Sequence, residues 1–307
     1  MNERKRFYNL TIILIFITIC IGFAFLYLHE SKSKRTIFSD GSLSEGNQHY
    51  YAAGSAGDIA GTTLVVSIFA DDQNTSRDET DAADVEKMAK IQEYLTIAGD
   101  YLEDVVADYQ KEADFITDFS NNTDLKYHMS MDIVATDQDV LDSGEIDEIA
   151  WDYISRSIDT ENLKTKYQAD NVIYMLYIDS DVTNPAVTCT RNWYEGMPSE
   201  AEIVYLFNID YEMTNCPAVY AHEMLHTFGA PDLYMEDEDY NVTASFMDYV
   251  NEHLSNDIML TCSDATTGDY RYDAITNEVS EVSAYYIGLL EQSDIAEQWN
   301  LTIPVYE

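Results

Sequence analysis

From residue 62 the chain alternates short apolar runs with longer amphipathic stretches. Residues 62–70 (TTLVVSIFA) form a β-branched apolar run, which predicts a buried strand. A polar loop, DDQNTSRDET, follows. Residues 81–112 carry Val85, Met88, Ala89, Ile91, Tyr94, Leu95, Tyr101, Leu102, Val105, Val106 and Tyr109 at helical spacing, a long amphipathic helix with Gly99 as a point of bending. Residues 127–136 alternate like a strand, and 145–158 read as a second helix. Residues 171–179 (NVIYMLYID) and 201–209 (AEIVYLFNI) are further strands, with 188–194 a strand or an ordered loop between them. A turn with Cys216 and Pro217 leads to one more helix, which carries His222.

Strand, helix, strand, helix, strands and helix in that order predict an α/β layer fold: a twisted mixed sheet packed over the last helix. Periodicity then fades. Residues 233–253 show little of it, and 278–292 read as a closing amphipathic helix. A smaller C-terminal subdomain is therefore expected after Gly229.

The first part of the chain has another character. Residues 7–28 are almost uninterrupted apolar residues, long enough as a helix to span a bilayer core. Arg4, Lys5 and Arg6 precede this run and Lys32, Lys34 and Arg35 follow it, so the charge rule does not fix its orientation. It is read as an uncleaved signal anchor within residues 1–35, with a removed signal peptide as the alternative. Cys20 is a poor lipobox cysteine, because Ile19 and Ile21 flank it. Residues 36–57, rich in Ser, Gly, Asn and Ala and containing His49, read as a flexible stalk. The catalytic domain is then expected over residues 58–307, outside the cytoplasm on either reading of the leader.

Charge narrows the partners. The chain has 57 acidic and 16 basic residues, and six of the basic ones lie before residue 36. Such a domain repels nucleic acid and anionic membrane surfaces, so the membrane is met through the N-terminal helix alone. The run Glu236, Asp237, Glu238 and Asp239 reads as a solvated loop, with calcium as the alternative occupant. It lacks the spacing and the central glycine of an EF-hand. Outside the leader there are three cysteines, Cys189, Cys216 and Cys262; one disulfide among them is expected in an oxidising compartment, with the pairing open.

The candidate chemistry lies at residues 222–232, HEMLHTFGAPD. His222 and His226 are four apart and share one helix face, so two imidazoles can bind one metal ion. Glu223 can reach a water on that metal and act as general base. Gly229 lets the chain turn out of the helix, and Asp232 arrives where a third ligand is needed. Three protein ligands plus a water is the pattern of a catalytic zinc site. His128, on a strand pattern, reads as a structural or surface histidine.

The motif His-Glu-x-x-His-x-x-Gly-x-x-Asp resembles that of the metzincin group of zinc metallopeptidases, in the variant with Asp as third ligand. Snapalysin-like and immune inhibitor A-like secreted bacterial peptidases carry such a pattern, and the continuation into Leu233 and Tyr234 is similar to the second. Ser245-Phe246-Met247-Asp248-Tyr249 is similar to the metzincin Met-turn, a tight turn whose methionine underlies the metal. The resemblance covers residues 222–249. It implies a zincin fold, zinc as the metal, a protein or peptide substrate, Met247 as a structural floor, and Tyr249 as an oxyanion partner.

A membrane-anchored zinc endopeptidase is thus the leading expectation. Two other classes stay open: a catalytically idle binding module on a zincin scaffold, against which Glu223 speaks, and a calcium-stabilised surface adhesin, which leaves the ordered His, Glu, His and Asp unexplained. Within enzymes, Glu278 or Glu281 is the alternative third ligand. Cleavage specificity, latency and oligomeric state are not legible in the sequence.

Overall fold

The computed structural model of the chain describes residues 54–179, 189–192, 201–205, 207–208 and 213–303. The apolar run 7–28, Cys20, His49 and most of the expected stalk lie outside the described residues, and no described helix is long and apolar enough to cross a membrane.

The fold is α/β with an open, mostly parallel sheet. Its centre is β1 (Gly61–Asp71), whose residues from Thr63 onward are buried on both faces. Strands covered on both sides read as continuous apolar runs rather than alternating ones, which is the pattern of TTLVVSIFA. After β1 come α1 (Ala82–Asp108), β2 (Ala113–Ile116), β3 (Lys126–Ser130), α2 (Gln138–Ser143), α3 (Glu145–Ser157), α4 (Thr160–Tyr167) and β4 (Asn171–Ile178). β2 and β3 share one edge of β1: Gly61 to Leu64 pair with Ala113 to Ile116, and Ser67 to Asp71 pair with Lys126 to Ser130. β4 lies parallel along the other edge. Beyond it stand β6 (Ala201–Tyr205), parallel to β4, and β5 (Cys189–Asn192), antiparallel to β6 at the rim. Phe207–Asn208 (β7) and Met213–Thr214 (β8) make a small hairpin ladder ahead of the next helix.

α1 begins where Asp81 accepts hydrogen bonds from the Ala83 and Asp84 amides. Its buried stripe is Ile91, Leu95, Ala98, Leu102 and Val106, the helical repeat expected, although Val85 at its start is exposed. The helix runs through Gly99 without interruption. A Cβ there would lie 2.9 Å from Thr117 Cγ2 and 3.3 Å from Phe115 Cβ, so this glycine serves a close approach between α1 and the residues around β2. The strand expected over 127–136 is shorter: after Ser130 the Met131 amide bonds to the Asp71 carbonyl and the chain turns away. His128 lies at the surface, its side chain half exposed and its Nε2 2.8 Å from Asp71 Oδ2.

The next helix, α5 (Pro217–Thr227), packs against α1 and the sheet, and all eleven of its residues are buried. After Gly229 the chain contains α6 (Ala244–His253), α7 (Glu281–Tyr286) and α8 (Asp294–Trp299), joined by turns. α7 is shorter than the closing helix expected over 278–292, because Gly288 in the left-handed region (φ 75°) ends it and Leu289 bonds back to the Ala284 carbonyl.

The end of the expected stalk is also different from a flexible linker. Gly54, Ala56 and Gly57 are buried, and the Ala56 amide donates to the Thr227 carbonyl at 2.9 Å. The packed domain therefore starts by Gly54, on the C-terminal end of α5.

Candidate metal centre

α5 starts with Pro217 in its first turn, where the missing amide proton costs nothing. It ends in a tight closure: the Gly229 amide donates to the His226 carbonyl at 2.8 Å and the Ala230 amide to the Leu225 carbonyl at 3.1 Å. Gly229 has φ 103°, a backbone conformation open to glycine. The turn brings Asp232 back over the helix. Asp232 Oδ1 lies 3.1 Å from His222 Nε2 and 3.3 Å from His226 Nε2, and the two Nε2 atoms are 3.1 Å apart. Among the described residues this is the one group of three or more His, Cys, Asp or Glu side chains whose ligand atoms converge.

The other ring nitrogens explain the aim. His222 Nδ1 is 2.9 Å from the Ile258 carbonyl, and His226 Nδ1 is 2.8 Å from the Ala230 carbonyl. A carbonyl can only accept, so each Nδ1 carries a proton and each ring, with its Nε2 deprotonated, presents that nitrogen's lone pair inward. Two lone pairs and a carboxylate oxygen then face one another at near-contact, an arrangement that repels unless a metal ion or a proton sits among them. Ligands 2.0–2.1 Å from a tetrahedral zinc stand about 3.3 Å apart, close to the spacings found here. Two nitrogens in the set disfavour calcium and magnesium, which take oxygen. The donor set therefore fits zinc.

The electrostatics agree. Burial pushes the Asp232 carboxyl up, but the charges and hydrogen bonds of His226 and His222 outweigh it and hold Asp232 well below the ordinary carboxylate range. Burial pushes His222 down, but Cys262, Asp232 and Glu223 together raise it well above its ordinary value. The site attracts positive charge. His222, Glu223 and His226 are each only 5% exposed, whereas the Asp232 side chain is 21% exposed and marks the open side.

Other expected residues lie elsewhere. Ser245 to Tyr249 form the first turns of α6 rather than a tight turn. Thr243 caps that helix, its hydroxyl accepting from the Phe246 amide and its carbonyl from the Met247 amide. The Tyr249 ring packs with Phe246, His253 and Trp299. Glu281 is engaged by the Ser293 hydroxyl and the Ile295 amide, so it caps the approach to α8 instead of meeting the histidines. Glu278 contributes its backbone to a bridge with Asp257. In the acidic run, Asp237 accepts from the Asp239 and Tyr240 amides and closes its own turn.

Four contributors were not foreseen. The turn at residues 257–260 supplies the Ile258 carbonyl to His222, and the Met259 carbonyl accepts from the Leu233 amide. Met259 is fully buried, and the turn is tied from inside by Asp257, which accepts from the Met259 and Ser280 amides and the Ser283 hydroxyl. Tyr234 lays its ring along that of His222, with centroids 6.3 Å apart and planes at 18°. Burial, then the Asp232 carboxylate, push the Tyr234 phenol above its ordinary value. The run D-I-M-L carries no periodic signal, and Tyr234 is one of 24 tyrosines, so only the spacing from Asp232 marked it.

Compared with known proteins, the chain matches no protein-family model and no curated protein.

Proposed function

We propose that the protein is a zinc-dependent endopeptidase of the zincin type, anchored in the membrane by residues 7–28 with its catalytic domain outside the cytoplasm. The triangle of His222 Nε2, His226 Nε2 and Asp232 Oδ1, with sides of 3.1–3.3 Å, carries the reading. A mostly parallel sheet above a buried helix with a C-terminal half-domain of turns and helices supports it. So does the turn that carries the Ile258 carbonyl to His222 Nδ1, with Met259 buried next to it.

A zinc ion held by these three residues would supply Lewis acidity, polarising a carbonyl and making water acidic near neutral pH. The chain's own groups do the rest. Glu223, one residue from the first ligand and buried beside it, accepts the proton of the attacking water. The water oxygen bonds to the scissile carbonyl carbon. As the C–N bond breaks, Glu223 returns the proton to the leaving amine. The carbonyls of Ile258 and Ala230 hold both imidazoles in place throughout.

The test uses the full chain in detergent, purified without chelators. About one zinc per chain is expected, as a single three-ligand site requires. Labelled casein should be hydrolysed, and Glu223→Gln should keep the zinc while losing on the order of a hundredfold or more in kcat. No bound zinc, or full activity in Glu223→Gln, overturns the reading. Zinc without hydrolysis would favour the idle binding module.

A further inference from the structure

The peptide unit that joins Ile258 to Met259 is bonded at both ends. Its carbonyl oxygen lies 2.9 Å from His222 Nδ1, and its N–H donates to Asp257 Oδ1 at 2.7 Å. Asp257 is fully buried. Its Oδ2 accepts from the Ser280 amide at 3.0 Å, and the Ser283 hydroxyl lies 2.9 and 2.8 Å from the two oxygens. One backbone N–H on each oxygen is the setting of a group held as an acceptor. Burial pushes the Asp257 carboxyl above its ordinary value, and the hydrogen bonds from Ser280, Ser283 and Met259 pull it back toward the charged form. His226 has no such backing. Its Nδ1 meets the Ala230 carbonyl at 2.8 Å, and that peptide unit ends on Pro231, which carries no N–H.

Resting on the zinc reading above, we propose that Asp257 is a positioning residue that strengthens His222 as a metal ligand through this one peptide unit, so that the two histidines of the triangle are unequal donors. Amide resonance links the N–H and the C=O of a peptide. A carboxylate on the N–H draws electron density onto the carbonyl oxygen, and hydrogen bonds in such a chain reinforce one another. The carbonyl then accepts more strongly from Nδ1–H, which makes Nε2 more basic and fixes the ring. A carboxylate can do this by direct contact with a ligand histidine; here a peptide stands between them. The path is short and dry, since Asp257, Ile258 and Met259 are fully buried and His222 nearly so. No proton moves along it.

The experiment uses the full chain in detergent, with isotope-labelled histidine and saturating zinc, observed by nuclear magnetic resonance. In wild type the His222 Nδ1–H proton, assigned by its proximity to Ile258, should resonate downfield of the His226 Nδ1–H proton, assigned by its proximity to Ala230. Asp257→Asn keeps the shape and removes the charge. It should move the His222 proton upfield, leave the His226 proton in place, and weaken zinc by about 10–100-fold in competition with a chromogenic chelator. Ser283→Ala keeps the charge and should weaken zinc by less than about tenfold. Equal loss of zinc from Asp257→Asn and Ser283→Ala would make Asp257 a packing anchor for α7 and overturn the proposal. A His222 proton that stays in place in Asp257→Asn overturns it as well. Should Asp257→Asn fail to fold, the wild-type spectrum decides: coincident Nδ1–H resonances, or His226 further downfield, refute the relay. Failure of the zinc reading shows separately, as wild type that binds no metal.

Discussion

His222 Nδ1 and the Ile258 carbonyl oxygen lie 2.9 Å apart, across 36 residues of chain. That bond sets which nitrogen of the first histidine faces the metal group. Ile258 is in turn held by its amide, which donates to the Glu278 carbonyl, and by the buried Asp257 carboxylate beside it. The part of the domain after Gly229 thus reaches the site through the Asp232 side chain and the Ile258 carbonyl, and the part before it through side chains of one helix.

Asp232 should be the third ligand, and acid should oppose binding. Asp232→Ala is expected to weaken zinc by a hundredfold or more, beyond the roughly 10–100-fold typical of losing an outer hydrogen-bond partner. Glu281→Ala should keep the metal, because Glu281 is used by Ser293 and Ile295. The His222 pKa is raised above its ordinary value, so protons compete with the metal for its Nε2. Zinc affinity should then rise by about tenfold per pH unit below the His222 pKa, measured by competition with a chromogenic chelator. A pH-independent affinity, or zinc lost equally from Glu281→Ala, would count against this ligand set.

Gly54 should be intolerant of any side chain. A Cβ would sit 2.4 Å from Thr227 O, Phe228 C and Gly229 N, all backbone atoms of the turn that delivers Asp232. Overpacking of this kind costs about 1–3 kcal/mol. Gly54→Ala should lower the melting temperature and weaken zinc binding together, since the turn at Gly229 must move. An unchanged melting temperature would mean that residues 54–57 are not packed on α5.

How much of this could be read from the sequence differs between the halves. β1, α1 and β4 were legible because continuous apolar runs and a helical stripe each have one low-energy reading in this order. The metal group was legible because the i, i+4 spacing and Gly229 fix where three side chains go. Past Asp232 the reading weakened, since turns are held by side chain to backbone bonds that leave no periodic trace. Residues 245–249 are similar in letters to a Met-turn, yet Thr243 caps a helix there. Arg77, in a loop of polar letters, is buried, its Nη1 donating to the Ala70 and Tyr177 carbonyls at 3.2 Å. Such pairings join residues a hundred positions apart, which local pattern does not encode.

The disulfide left open among three cysteines should join Cys216 and Cys262. The Cys216 thiol donates to the Cys262 carbonyl at 3.6 Å, and the two sulfurs are close enough to influence each other's charge. Burial pushes the Cys216 thiol up to about 12, so it is a poor first nucleophile. Half-buried Cys262 should attack oxidised glutathione first, releasing one glutathione thiol, and Cys216 should then displace the second. Closing the loop should stabilise the fold by about 4 kcal/mol on the chain-entropy account. Non-reducing peptide mapping is expected to find the Cys216–Cys262 pair; a bridge to Cys189 would refute it.

Asp147 should make the fold less stable as pH rises. Its carboxyl, in the first turn of α3, is pushed up to about 6, by burial first and by Glu148 second. A raised carboxyl pKa means that the folded state holds the proton more tightly than the unfolded state does. Between the unfolded value near about 4 and the folded value the native protein binds more protons, so stability falls as pH increases across that window. Below it the group is neutral in both states and has no effect; above it the full cost is present. The whole shift corresponds to about 3 kcal/mol. Partial exposure and the favourable helix dipole at this position reduce the expected gain on neutralising it to about 1 kcal/mol. Asp147→Asn should therefore raise the melting temperature by about 2–4 °C at pH 7.5 and leave it unchanged at pH 4. Equal gains at both pH values would show that the substitution acts through packing or helix propensity and not through the buried charge.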